Sequence, residues 1–359
     1  MKAGKTVNEL AAELFRQRKE KKDYLVDTRN MTVDAGTNGT QLSIRNDKTG
    51  ETIILGVNEV AHNQIGARLH IPSKYYDRMR HENPDLLAQN INSWFQKEPE
   101  RRMIRTLDGT ARAFLSDRYR RIDNFEIAQH VLPIIADMPQ AFVESCEITD
   151  ERMYIKVVNQ RLTAEVTPGD VVQSGMLITN SEVGLGSMTV QPLVYRLVCT
   201  NGMVVNDART RKYHVGRGNE ASEDFTLYSD ETLKADDNAL MMKIQDTVRA
   251  VVDQSRFDKV VEMMRQAKEA KIVTANIPAM VVELGSEDFG YTKKEGEGIL
   301  DYLIRGGDLS LYGYANAATR YAQDVKSYDR STALESVGYD ILGMTPAQWN
   351  KLNAVAKVA

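Results

Sequence analysis

The stretch 101–121, RRMIRTLDGTARAFLSDRYRR, is the part of this sequence best equipped to do chemistry. It holds Arg101, Arg102, Arg105, Arg112, Arg118, Arg120 and Arg121 against two acids, Asp108 and Asp117. Every cation is an arginine, whose planar fork binds phosphate bidentately and stacks on flat rings. Phe114 and Tyr119 are interleaved. Cations to track a backbone and rings to stack bases are what an unpaired nucleic-acid strand needs. Asp108-Gly109 between two alternating runs predicts a tight hairpin. Strand parity then puts Arg101 and Arg105 on one face, Arg102 and Ile104 on the other, and Arg112 beside Phe114 on the partner strand. The plainer alternative is a hairpin whose arginines pair with nearby acids or serve a subunit interface.

Two further segments could meet an anion. Arg196 ends a strand-like run, and the stretch ARTRKYHVGR that follows carries Arg209, Arg211, Lys212, Tyr213 and Arg217 with almost no acid. Such a loop could clamp phosphates, or be a solvated connection. In QIGARLHIPSKYYDRM, residues 64–79, the apolar positions suit a helix-turn-helix with Lys74 and Arg78 outward. His70 stands where glycine is usual there, and a plain helical pair is the simpler reading.

Other chemistries find no foothold. There is no GxxxxGK[ST] run, and Gly184-Leu185-Gly186 lacks the third glycine and the helix of a dinucleotide fingerprint. The five histidines show no metal-ligand spacing with Cys146 and Cys199. No GxSxG elbow appears. The expectation is a binding protein, not an enzyme, with no cofactor and no metal. The net charge of −4 is uneven, with a slight excess of cations before residue 220 and of acids after it. Any anionic partner is therefore expected on the N-terminal part.

The elements that must position these residues follow from periodicity. Residues 6–22 predict a helix with Leu10, Leu14 and Phe15 on its apolar face and cations at its end. A hairpin over 39–56, helices over 58–96, the arginine hairpin and a helix over 124–138 come next. Further strands run to about 205, with Asn201-Gly202 as a turn. From about 229 the pattern is helical throughout. This predicts an α+β fold: an antiparallel-rich β core with crossing helices, then a helical C-terminal region. Two domains are expected, a nucleic-acid-binding 1–219 and a helical 220–359. No apolar run reaches the roughly 20 residues of a membrane span, and the first residues lack a signal peptide's apolar core. With only two cysteines, whose pairing stays open, the expected location is the cytoplasm.

The runs LSDRYR, SEVGLGSMTVQPLVYRLVCTNGMVV and GDLSLYGYANAATRYAQDVKSYDRSTALESVGYDIL resemble a family of phage- and plasmid-encoded proteins catalogued as a domain of unknown function. The likeness extends over about 40–345. More remotely, the chain is similar to phage single-strand annealing proteins of the Red-beta and Rad-type group. That resemblance implies an ATP-independent, ring- or filament-forming homo-oligomer that holds single-stranded DNA in a basic groove. No motif of that group transfers residue by residue, so the candidate residues rest on charge alone. A duplex reader using 58–80 and a non-catalytic assembly or host-interaction protein are the alternatives.

Overall fold

The computed structural model describes residues 1–36, 39–46, 49–119, 121–206 and 230–354. The fold is α+β as expected, with two largely antiparallel sheets and a helical C-terminal region.

Helix α1 (Val7–Glu20) starts from a capping box between Thr6 and Glu9. Strands β1 (Lys22–Asp27), β2 (Met31–Gly36), β3 (Gly39–Arg45) and β4 (Thr52–Val57) follow, then helices α2 (Glu59–Arg68), α3 (Ser73–Glu82) and α4 (Pro84–Lys97). Asn58 and Asn83 cap α2 and α4, as their sequence positions predict. His70 does take the left-handed conformation, φ 54°, between α2 and α3. Strands β5 (Arg101–Leu107) and β6 (Thr110–Ser116) turn at Asp108-Gly109, both with positive φ. The sheet order is β1-β5-β6-β4-β3-β2, and only β4–β6 is parallel. Only Thr28–Asn30 separate β1 from β2, yet these strands form opposite edges. So short a link requires the edges to curl toward each other. Helix α4 fills the concave side: Leu87, Ile91 and Phe95 pack against Met31, Leu42, Leu55, Ile104 and Phe114.

The second sheet is a meander of β7 (Ala141–Ile148), β8 (Met153–Glu165), β9 (Val171–Asn180), β10 (Thr189–Arg196) and β11 (Asn201–Val204). Helix α5 (Asn124–Asp137) leads into it. Its two faces are both buried. Met153, Ile155 and Val157 of β8 meet Leu10 of α1, Val131 of α5 and Ile244 of α6 (Asp230–Ala250). Tyr154 and Val158, one residue out of phase, join Leu193, Val204 and Tyr328. Around this sheet lie α7 (Gln254–Glu269), whose Phe257 and Val260 share a cluster with Val172 and Val194, then α8 (Gly285–Phe289), α9 (Lys293–Gly306), α10 (Leu311–Tyr321), α11 (Tyr328–Leu342), which supplies Tyr328 to the second face, and α12 (Pro346–Ala354).

This packing bears on three points of the sequence reading. First, the boundary at 220 does not separate two cores, because Leu162, Val172, Val194 and Met203 share one core with Phe257, Met264, Tyr312 and Ile341. The change of periodicity marks a change of element, not of core. Second, Asn201 and Gly202 lie inside β11, and the turn is at Leu197–Thr200. Third, Cys146 and Cys199 are both free; the first is on edge strand β7 and the second beside edge strand β11. Among the described residues no helix is long and apolar enough to cross a membrane.

Candidate nucleic-acid interface

The arginine hairpin contains a device that sequence parity cannot show. A β-bulge lies between Arg105 and Thr106, and Arg112 faces no residue of β5. An extra residue re-aims the side chains around it. Phe114 therefore points into the concave side, stacked on Phe95 at 5.8 Å between ring centroids. Arg112 instead reaches Glu182, at 2.5 Å. The expected common face for Arg112 and Phe114 does not form, and Phe114, 4% exposed, has no ring surface for a base.

Glu182 is the centre of a buried ionic cluster. Besides Arg112, its carboxylate accepts hydrogen bonds from Lys21 Nζ and from the backbone N–H of Asn124, each at 2.6 Å. The second of these puts a negative charge at the start of α5, where the helix dipole favours it. Arg105, 1% exposed, spends Nε on Asp23 (2.9 Å), Nη2 on Asp123 (2.6 Å) and Nη1 on the Glu182 carbonyl (2.9 Å). Burial works against ionisation of Asp123, yet Arg105, Lys21 and Arg112 outweigh it and hold the carboxyl below its ordinary value. Arg121 adds a contact to Asp23 at 3.1 Å. The cluster joins β1, β5, β6, the start of α5 and the segment after β9, so it ties the first sheet to the second.

Most of the described residues of the sequence-predicted site thus have partners inside the protein or are covered by it. Arg102 pairs with Glu100 and lies over the Phe114 ring. Tyr119 donates its hydroxyl to the Ser181 carbonyl and is largely buried. Arg196 forms a two-point bond with Asp170, at 2.6 and 2.9 Å, beside α10. For Arg102, Arg105, Arg112, Phe114, Tyr119 and Arg196, carboxylate partners or burial replace the expected nucleic-acid contact. Arg101 and Arg118 are exposed with no carboxylate partner among the described residues, and Arg121 is 58% exposed despite its contact with Asp23. Arg120, Arg209, Arg211, Lys212, Tyr213 and Arg217 lie outside the described residues.

A different exposed group emerges where α1 ends against α5. The Phe15 ring is 55% exposed and meets Phe125 edge-on at 5.0 Å. The Arg18 guanidinium lies 4.5 Å from the centre of the Phe125 ring, a cation–π distance. Lys19 and Lys22 are exposed nearby in sequence, and Phe125 is four residues from Arg121. The expectation that Phe15 faces the core with Leu10 and Leu14 is overturned. One residue after Leu14, it stands 100° round the helix from that stripe, which was the available signal. Asp23, Asp123 and Glu182 left no such signal, because they come together from three distant segments.

The helical pair α2–α3 exists, but its interior is devoted to packing: His62 Nδ1 and the Tyr76 hydroxyl lie 2.8 Å apart, and Arg78 is bonded to Glu82. Among the described residues no group of three His, Cys, Asp or Glu side chains could hold a metal ion.

Fold and site together define an α+β protein with a buried ionic joint and an exposed arginine–aromatic surface. The chain belongs to the family described as Domain of unknown function (DUF932), which matches residues 113–334. The match begins within β6 and takes in the whole second sheet and most of the C-terminal helices. Neither a curated protein nor a solved structure matches the chain.

Proposed function

We propose that this protein binds single-stranded DNA without catalysing a reaction on it, as an ATP-independent annealing or recombination protein of phage or plasmid origin that works as a homo-oligomer. The observation that carries the reading is the step of Phe15, Phe125 and Arg18, which offers a half-exposed ring beside a guanidinium. Bases stack on exposed rings whatever their sequence, contributing roughly 1–3 kcal/mol each. Arg18, Arg101, Arg118 and Arg121, with Lys19 and Lys22, are the cations left to meet phosphates. The buried arginines 105 and 112 serve this surface only by fixing β5, β6 and the start of α5.

The test is fluorescence anisotropy of a labelled oligonucleotide at rising salt. Each phosphate contact lowers the slope of log affinity against log salt by about 0.7 for a single strand. Arg18→Glu with Arg118→Glu should make that slope shallower by roughly 1.4. Phe15→Ala should weaken binding about 5- to 150-fold with the slope unchanged. No binding by the intact protein at low salt would end the proposal.

A second reading, assembly without DNA, has its own support. The outer edge of β2 is capped by Asn92, whose amide bonds both N–H and C=O of Val33 (2.7 and 2.8 Å). Among the described residues no backbone group pairs with the outer edge of β1, where Leu25 is 47% exposed. An open edge of that kind accepts another strand. Particle mass measured with and without oligonucleotide separates the readings: assembly indifferent to DNA favours the edge.

A further inference from the structure

A second cationic place lies far along the chain from the arginine hairpin, between the β10–β11 turn and the helices α9 and α10. It is a cleft of about 250 Å³ whose lining includes Arg196, Cys199, Tyr302, Arg305, Asn316 and Arg320. Each guanidinium is oriented by a carboxylate that is not part of the lining. Asp170 holds Arg196 at two points and is itself held by the Tyr312 hydroxyl at 2.9 Å. Asp301 holds Arg305 at 2.9 Å, and Asp324 approaches Arg320 at 3.5 Å. Asp324 also accepts the Tyr302 hydroxyl at 2.5 Å, and the Arg320 guanidinium stands 4.9 Å from the centre of the Tyr302 ring. The one acid in the lining, Asp308, is already satisfied by Lys268 at 2.9 Å and Ser310 at 2.8 Å.

The cleft therefore presents three guanidinium groups whose paired carboxylates lie outside its lining, and its one lining acid is already paired. A guanidinium carries five N–H donors. The ion pairs of Arg305 and Arg320 leave most of theirs unspent. Arg196 gives its remaining Nη1 to the sulfur of Cys199, at 3.2 Å. A carboxylate ligand would fill one planar fork, whereas two partly unspent forks from different elements, Arg305 of α9 and Arg320 of α10, suit a tetrahedral, doubly charged oxyanion. The volume is below the 300–1,000 Å³ usual for drug-sized ligands, so the ligand must be small. The turn that carries Cys199 is strained, since Thr200, a β-branched residue, has φ 50°. Gln323, in the short turn after α10, holds it through the Cys199 carbonyl at 3.2 Å.

We propose that this cleft binds the phosphoryl group of a small phosphorylated molecule, with Arg305 and Arg320 making the new contacts and Arg196 fixed behind them. The site is independent of the nucleic-acid surface, for it shares no residue with the Phe15–Arg18 step. All its lining residues fall within the span matched by the family.

Cys199 supplies the readout. The chain has two cysteines, and Cys146 is fully buried, with burial pushing its thiol up to about 12. Alkylation by neutral iodoacetamide, followed by intact mass, therefore reports Cys199. Inorganic phosphate and adenosine monophosphate are added separately, with sodium sulfate and sodium chloride at matched ionic strength as controls. A bound phosphoryl group should slow the reaction about tenfold at saturation by covering the thiol. Protection by inorganic phosphate alone identifies the free ion as ligand; protection by both identifies a monoester site. Arg305→Gln with Arg320→Gln, both at accessible positions, should abolish the protection while the circular dichroism spectrum stays unchanged. An alkylation rate indifferent to both phosphates would overturn the proposal. So would equal slowing by sulfate, which would mean an adventitious ion only.

Discussion

Replacing Glu182 by glutamine tests whether the arginines of 101–121 serve the fold. The carboxylate is 2% exposed and accepts from Lys21, Arg112 and the Asn124 N–H, all within 2.6 Å. Glutamine keeps the shape and one acceptor oxygen but turns an N–H₂ group toward a cation. It also leaves the positive charges of Lys21 and Arg112 uncompensated. Breaking a buried pair by removing one partner costs about 3–5 kcal/mol, and the retained shape argues for the lower end, ~3 kcal/mol. With a urea dependence near ~3 kcal/mol per molar, the unfolding midpoint should fall by about 1 M. The chain's two tryptophans, Trp94 of α4 and Trp349 of α12, report the first sheet's helices and the C-terminal helices separately. Asp108→Asn is the control, because the Arg16–Asp108 pair is about half exposed and such pairs contribute under ~1 kcal/mol. Adding Arg112→Met to Glu182→Gln should recover part of the stability, since of the two buried cations only Lys21 is then left without its partner. DNA affinity should stay within about twofold in Glu182→Gln, because Arg112 remains buried; a rise of tenfold or more, about 1.4 kcal/mol, would mean that Arg112 holds phosphate. A midpoint equal to that of the unaltered protein would refute the reasoning.

Two other perturbations follow from buried charge. Burial, with help from Arg80, lowers the His62 imidazole from 6.5 to about 4. The folded protein thus keeps His62 neutral where the unfolded chain takes up a proton, so this contribution is complete above pH 6.5 and is lost as pH falls toward 4. The loss should reach up to ~3 kcal/mol, and His62→Gln should flatten urea midpoints measured between pH 4 and 7. Lys156, wholly buried in β8, bonds Glu335 of α11 at 2.6 Å beneath the Tyr328 ring. Glu335→Leu alone should cost about 3–5 kcal/mol by thermal or urea unfolding, while Lys156→Met with Glu335→Leu should restore most of it.

The sequence made the elements legible wherever one local signal decided them. Capping residues Asn58 and Asn83, the Asp108-Gly109 turn and the helical period after 229 all stand where the structure uses them. It failed where the decision was tertiary. The pattern of β8, MYIKVV, shows an apolar run with a lysine in it, but nothing local says that Glu335 waits 179 residues away. The same is true of Arg105, whose two carboxylates come from β1 and from the cap of α5.

That failure has a physical cause with a general consequence for charge-rich segments. Counting acids within 101–121 finds only Asp108 and Asp117, and neither neutralises the buried guanidinium groups. A buried cation must have a partner, because desolvating it alone costs several kcal/mol. Alternation in β5 placed Arg105 on a face opposite Ile104, yet both faces of the strand are covered, one by α4 and the other by Val183 and its neighbours. In a sheet buried on both sides, an arginine therefore predicts a distant carboxylate more strongly than it predicts a ligand. Among the described residues of this surface, the arginines without a carboxylate partner are those at ends and turns, Arg18, Arg101 and Arg118, where the chain leaves its core.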